Sequence, residues 1–343
     1  MRDVILPNFL MPEPETPVPP ESRPHEPSSG SSDPALSRSA AERIFLGADG
    51  LRAIWRGLLY LATGVVILEC VLWLGAAVVS APATMVGQLW ADLYREFALA
   101  LAALLPAFLM ARIEQRNFDD YGLPGRAAFG RRFWTGAAWG LGAITVLLLA
   151  LRGLGVVGFG HLALHGAHIV RFAAFWGVFF LVVALFEEFV LRGYLLFLLA
   201  GWAGFWPAAI LLSLVFGAIH LSNSHETLTG AAGAAVIGLF FCLTLKRTGN
   251  LWFALGFHAF WDWGETFLYG VPDSGTTEPG HLLSSVLNGP VWLAGGTAGP
   301  EASVLCFALV ALLAAGFHFT YPESRYALDL PRRARENEVS LSL

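Results

Sequence analysis

Residues 170–199 read VRFAAFWGVFFLVVALFEEFVLRGYLLFLL. After Arg171 the only charges in the stretch are Glu187, Glu188 and Arg192, all in its second half. Crossing a hydrocarbon core about 30 Å thick takes about 20 apolar residues at 1.5 Å each. The run therefore exceeds one crossing and is expected to continue as a second short helix after Arg192. Read outward from it, the chain shows seven more apolar runs, at 53–79, 94–112, 134–157, 203–222, 228–246, 250–270 and 301–319. The predicted fold is all-α: a polytopic membrane bundle of about eight transmembrane helices.

Composition supports the same reading. Of 343 residues, 56% are apolar and 14% charged, against about 25% charged in an ordinary soluble domain, and mean hydropathy is +0.60. A net charge of −5 without a basic face excludes nucleic acid as a partner. Cys70, Cys242 and Cys306 lie scattered in apolar stretches, which suits packing rather than a disulfide framework.

Residues 1–42 hold nine of the 19 prolines and a Ser/Gly cluster at 28–32. Such a segment cannot bury enough apolar surface to order itself, so it is expected to be a disordered tail. It lacks the apolar run of a secretory signal, and insertion is expected to rely on the first spanning helix. The transmembrane domain is placed at 43–322, with its core motifs at 180–265, and a cytoplasmic tail at 323–343. Lys and Arg set the orientation. If both termini are cytoplasmic, fourteen positive residues fall inside: Arg43, Arg52, Arg56, Arg112, Arg116, Arg126, Arg131, Arg132, Lys246, Arg247, Arg325, Arg332, Arg333 and Arg335. Only Arg95, Arg152 and Arg171 fall outside, and 271–300 contains no Lys or Arg.

Ionisable groups at mid-bilayer cost about 2.5–3.5 kcal/mol each on insertion scales, so each demands a reason. Glu188 and Arg192 are i, i+4 and can pair on one helix face, while Glu187 is turned about 100° away, open to a cavity. Phe216 and His220 are likewise one turn apart, as are His258 and Asp262, whose face Glu265 continues. A Glu–Arg pair alone is often a clamp, and one intramembrane His is usually a core hydrogen-bonding group. Together, four carboxylates and two imidazoles against one Arg require protonation, a cation or water. Trp261 and Trp263 are placed to wall such a cavity, whereas His161, His165 and His168 read as a solvated turn.

In order and spacing, Glu187-Glu188-x-x-x-Arg192, Phe216-x-x-x-His220 and His258-x-x-x-Asp262 resemble the motifs of the CPBP family, the CAAX proteases and bacteriocin-processing enzymes also called Abi. The resemblance implies an intramembrane endopeptidase acting on a peptide or protein substrate, lipidated or not, amid membrane lipid. It implies Glu187 as the base that activates water, assisted by His220. His258 and Asp262 would stabilise the oxyanion or complete the site, and Glu188 with Arg192 would orient it. Asp262 departs from the commoner Asn, and when ionised it cannot donate to an oxyanion. It would then be protonated, hold the His258 tautomer or help bind a metal. A metal-free mechanism without cofactor is the expectation; the alternative is zinc on Glu187, His220, His258 and Asp262, a choice Glu265 complicates by making a cation more welcome. Proton-relay transport and a non-catalytic immunity protein are the other classes. The expected location is a bacterial cytoplasmic membrane, multi-pass. One geometric condition attaches: Glu187 and His220 differ in depth by about 10 Å unless the helix breaks after Arg192 or the fifth run starts late, near Trp206.

Overall fold

A computed structural model describes residues 46–47, 50–78 and 84–326. The proline-rich tail, Arg43 and most of 323–343, with Arg332, Arg333 and Arg335, lie outside the described residues. The chain divides into two units at Gly50 and Leu51; the helical architecture belongs to the second.

In order, that unit contains α1 (Ala53–Val78), α2 (Met85–Ile113), α3 (Arg131–Gly153) and α4 (Ala167–Glu188). A π-type segment, Phe189–Leu195, carries α4 on into α5 (Leu196–Ala203). Then follow α6 (Phe205–His220), α7 (Leu228–Thr248) and α8 (Trp252–Trp263), which a second π segment, Gly264–Tyr269, prolongs. A short helix, α9 (Val291–Ala294), interrupts the next loop, and α10 (Val304–Thr320) ends the bundle. All eight apolar runs are thus helical. Among the described residues, five stretches have the length and composition to cross a membrane: Ala53–Ala77, Met85–Ile113, Arg131–Gly153, Ala167–Ala203 and Leu228–Thr248. The helices α6 and α10 are apolar but shorter, so the structure establishes a membrane helical bundle and not the number eight.

The largest boundary difference is in α2, which begins nine residues before the apolar run at 94. The Thr84 hydroxyl caps it by accepting from Gly87 N, and the polar first turns with Gln88, Asp92 and Arg95 hide the start from any hydropathy window. The predicted break is present. Gly193 has φ −83°, ψ −107°, outside helical values, within the π segment, and α6 starts beside Trp206.

Close backbone approach joins α3 to α8. A Cβ at Gly136 or Gly140 would come within 2.1 Å of the Phe253 or Phe257 carbonyl oxygen, and one at Gly256 within 2.0 Å of Phe133 O. Small residues four apart that let backbones touch are the usual adhesive between helices in lipid, where apolar burial alone gives little drive. The reverse holds on the outer faces, where Val66 and Trp73 of α1 and Leu312 and Phe319 of α10 are more than half exposed.

Hydrogen bonds define two ends. Leu251 N donates to Gly122 O and Arg325 N to Lys246 O, gathering basic segments at one end. At the other, Val157–Gly158 pairs antiparallel with Val286–Leu287, Asn223 Nδ2 donates to Ser274 O, and Thr297 Oγ1 donates to His225 O. The 271–300 loop is thereby folded onto the bundle.

Candidate active site

The site forms where α4 loses its regular turn. Glu188 is the last residue of α4 and Arg192 lies in the π segment; both are buried. Arg192 Nη1 donates to Glu188 Oε1 at 3.1 Å. The guanidinium also lies over the Phe216 ring, 4.2 Å from its centroid. Gly238 makes the room, since a Cβ there would stand 2.2 Å from Nη2. A buried ion pair is costly to desolvate and holds only with good geometry and further contacts. The aromatic face supplies such a contact.

His258, on α8, faces carboxylates through both ring nitrogens. Nδ1 stands 3.0 Å from Glu188 Oε1, and Nε2 stands 3.3 Å from Asp262 Oδ2 and 3.6 Å from Glu187 Oε2. The ring is stacked on Phe241 at 19°. An ionised carboxylate only accepts, so each nitrogen that bonds one in that form carries a proton. His220, the last residue of α6, places Nδ1 2.8 Å from Phe216 O. A carbonyl also only accepts, which assigns the proton to Nδ1 and leaves Nε2 of a neutral ring as an acceptor.

A cavity of about 200 Å³ lies between these helices. Glu187, His220, His258 and Asp262 line it together with Phe179, Phe180, Val183 and Trp261. Glu187 and His220 share the cavity because α4 breaks and α6 is short, which meets the depth condition. Glu188 and Arg192 do not line it; they stand behind His258. Trp263 instead donates Nε1 to Ala173 O.

Six further polar residues reach the cavity that the motifs did not name: Glu96, Asn223, Asp273, Ser274, Thr276 and Glu301. Glu301 accepts from Trp261 Nε1 at 3.2 Å and from Ser274 Oγ at 2.5 Å. Burial, with Asp262 and Glu301 beside it, pushes the Asp273 carboxyl well above the ordinary range. Burial raises Glu301 too, against the lowering bond from Ser274. The absence of Lys and Arg from 271–300 was the one trace of this in the sequence. It marks a segment that can fold inward beside carboxylates, but not which of its residues do so.

The residues the motifs suggest for zinc are engaged with one another or with backbone. His258 faces carboxylates through both nitrogens and His220 turns Nδ1 to its own backbone, which leaves only His220 Nε2 uncommitted. Among the described residues, the one set of three metal-donor groups whose atoms all lie within 4.8 Å of one another is Asp262, Glu265 and Asp273. Only Asp262 belongs to the set the motifs suggested.

Fold and site together define an integral membrane protein whose apolar interior encloses an acid–imidazole cavity. Residues 169–264 match the family described as Type II CAAX prenyl endopeptidase Rce1-like. That span runs from the start of α4 into the end of α8 and contains Glu187, Glu188, Arg192, His220, His258 and Asp262. Over those 96 of 343 residues it bears out the resemblance to the CAAX proteases. No curated protein matches the chain.

Proposed function

We propose that the protein is an intramembrane endopeptidase in which Glu187 activates the attacking water. The observation that carries this reading is the division of labour between adjacent glutamates. Glu188 is committed to Arg192 and His258, whereas Glu187 lines the cavity with its Oε2 3.6 Å from His258 Nε2. In the reaction, Glu187 takes a proton from water as the oxygen adds to the scissile carbonyl. The N–H of His258 Nε2 donates to the oxyanion, His220 Nε2 accepts from the water or its product, and the proton taken up passes to the leaving amine. Before the oxyanion forms, that same N–H rests on Asp262, 3.3 Å away, and Glu188 with Arg192 fixes the ring from Nδ1. Glu187→Gln in a folded protein is the test: loss of peptide cleavage is expected, and survival at near wild-type rate would remove Glu187 from the mechanism. Cleavage lost on stripping divalent metals and restored by zinc would favour the metalloprotease reading instead.

The substrate we propose is a peptide carrying a lipid chain. A second cavity, of about 740 Å³ and almost wholly apolar, is lined by Leu72, Trp90, Tyr94, Phe97, Val178 and Val182. It abuts the first across α2 and α4: Glu96 and Phe97 face one cavity each, as do Val183 and Val182. A chain lying in it would hold the attached peptide beside Glu187. Removal of the lipid from a model peptide should raise KM. The basic end of the bundle, with Lys246 and Arg325 joined there, is assigned to the cytoplasmic side, so that both termini are inside.

A further inference from the structure

Beyond the active-site carboxylates lies a group the proteolytic reading does not use. Glu265 sits in the π segment after α8 with no exposed surface, and neither carboxylate oxygen has a hydrogen-bond partner. A buried carboxylate without partners is among the least favourable arrangements a protein can hold. Its donor atom lies within 4.8 Å of those of Asp262 and Asp273, which approach each other equally closely. Three carboxylates therefore converge, and neither oxygen of Glu265 meets a protein donor.

We propose that Asp262, Glu265 and Asp273 bind a hard divalent cation of calcium size. The donor set is oxygen only, without the imidazole or thiolate that suits zinc. Calcium is the better fit, because its shell of about 6–8 oxygens tolerates irregular geometry, whereas Mg²⁺ demands a near-ideal octahedron. The remaining bonds fit a ligand role. Asp273 accepts from Thr266 Oγ1 at 3.0 Å and Asp262 faces His258 through Oδ2, so each keeps a second oxygen for the ion. The cation would tie the 271–300 loop to the end of α8 and fix Asp262 from the side opposite His258. It is distinct from a hydrolytic zinc, and its presence does not depend on whether Glu187 is the base.

The test is direct binding. The full chain, purified in detergent and depleted with a chelator, is titrated with Tb³⁺ while tryptophan is excited; Trp261 adjoins Asp262 and serves as the antenna. Saturable luminescence, displaced by Ca²⁺ and weakened at least tenfold in Glu265→Gln and in Asp273→Asn, is expected. A signal that does not saturate, or that Glu265→Gln leaves unchanged, overturns the proposal. Where one variant does not fold, the other carries the comparison. Where neither does, the thermal midpoint of the depleted wild type decides: a rise on adding Ca²⁺ supports the site, and no rise refutes it. Since the readout is binding, failure here and failure of the proteolytic reading are separately visible.

Discussion

Two irregular helix ends, seven residues and six residues long, hold carboxylates in opposite ways. At the π segment after α4, Glu188 meets Arg192 at 3.1 Å and His258 at 3.0 Å, with the guanidinium lying on Phe216. At the π segment after α8, Glu265 meets only other carboxylates, and no donor reaches it. Both groups are equally hidden from solvent. The first end carries its countercharge in the chain, which makes a rigid support for His258. The second leaves the countercharge to something that comes from outside the chain, which makes a place that can be filled or emptied. Low dielectric permits both solutions and forbids a third, in which the charge stays buried and unanswered.

The largest effect should come from the open glutamate beside the compensated pair. Glu187→Gln is expected to lower kcat by about 10²–10⁴-fold, the usual weight of a general base, with the thermal midpoint kept; single-turnover cleavage of a lipidated peptide measures it. Arg192→Met tests the compensated end itself. It strands Glu188, and loss of one partner of a buried pair costs about 3–5 kcal/mol, read as unfolding at lower denaturant. The double variant Glu188→Gln/Arg192→Met should recover part of that loss, whereas it would recover none if Arg192 acted only by packing on Phe216. Asp262→Asn is a smaller change on the boundary between the two ends. Asn can still accept from His258, so cleavage should stay within about tenfold of wild type, a factor worth about 1.4 kcal/mol. A total loss would show that the charge of Asp262, rather than its hold on His258, is required.

The smallest effect concerns the loop. Burial, and then Asp92, raises the Glu278 carboxyl above its ordinary 4.5. A raised acid holds its proton more tightly when folded, so its stabilisation is complete below pH 4.5 and is lost as pH rises through the folded value. Glu278→Gln should therefore flatten the fall of thermal midpoint above that pH, and Asp92→Asn should flatten it less.

The contrast between the two ends also explains what was legible in the sequence. Glu188 and Arg192 are i, i+4, so their pairing, and the turning of Glu187 away from it, follows from helical phase alone. The break after Arg192 was legible because thirty apolar residues exceed one crossing. The second end was half legible: Glu265 continues the His258–Asp262 face, but Asp273 and Glu301 reach it through a loop whose path no periodicity records. Gly136 and Gly140 show the spacing of a helix contact, yet their partner Gly256 lies more than a hundred residues on and stands alone. Pairings within one helix are written in phase; pairings between a helix and a distant loop depend on the tertiary path.

The π turn after α4 has a further consequence for how the chain can change. A π turn fits one residue more than an α turn into a single turn, so a residue lost between 189 and 195 can be absorbed there without the rotation of about 100° that it would cause in a plain helix. Most single deletions in a membrane helix rephase a whole face at once. Here the turn acts as a register joint: a residue lost within it need not swing the half that carries Glu187 away from the half that continues through α5 to α6.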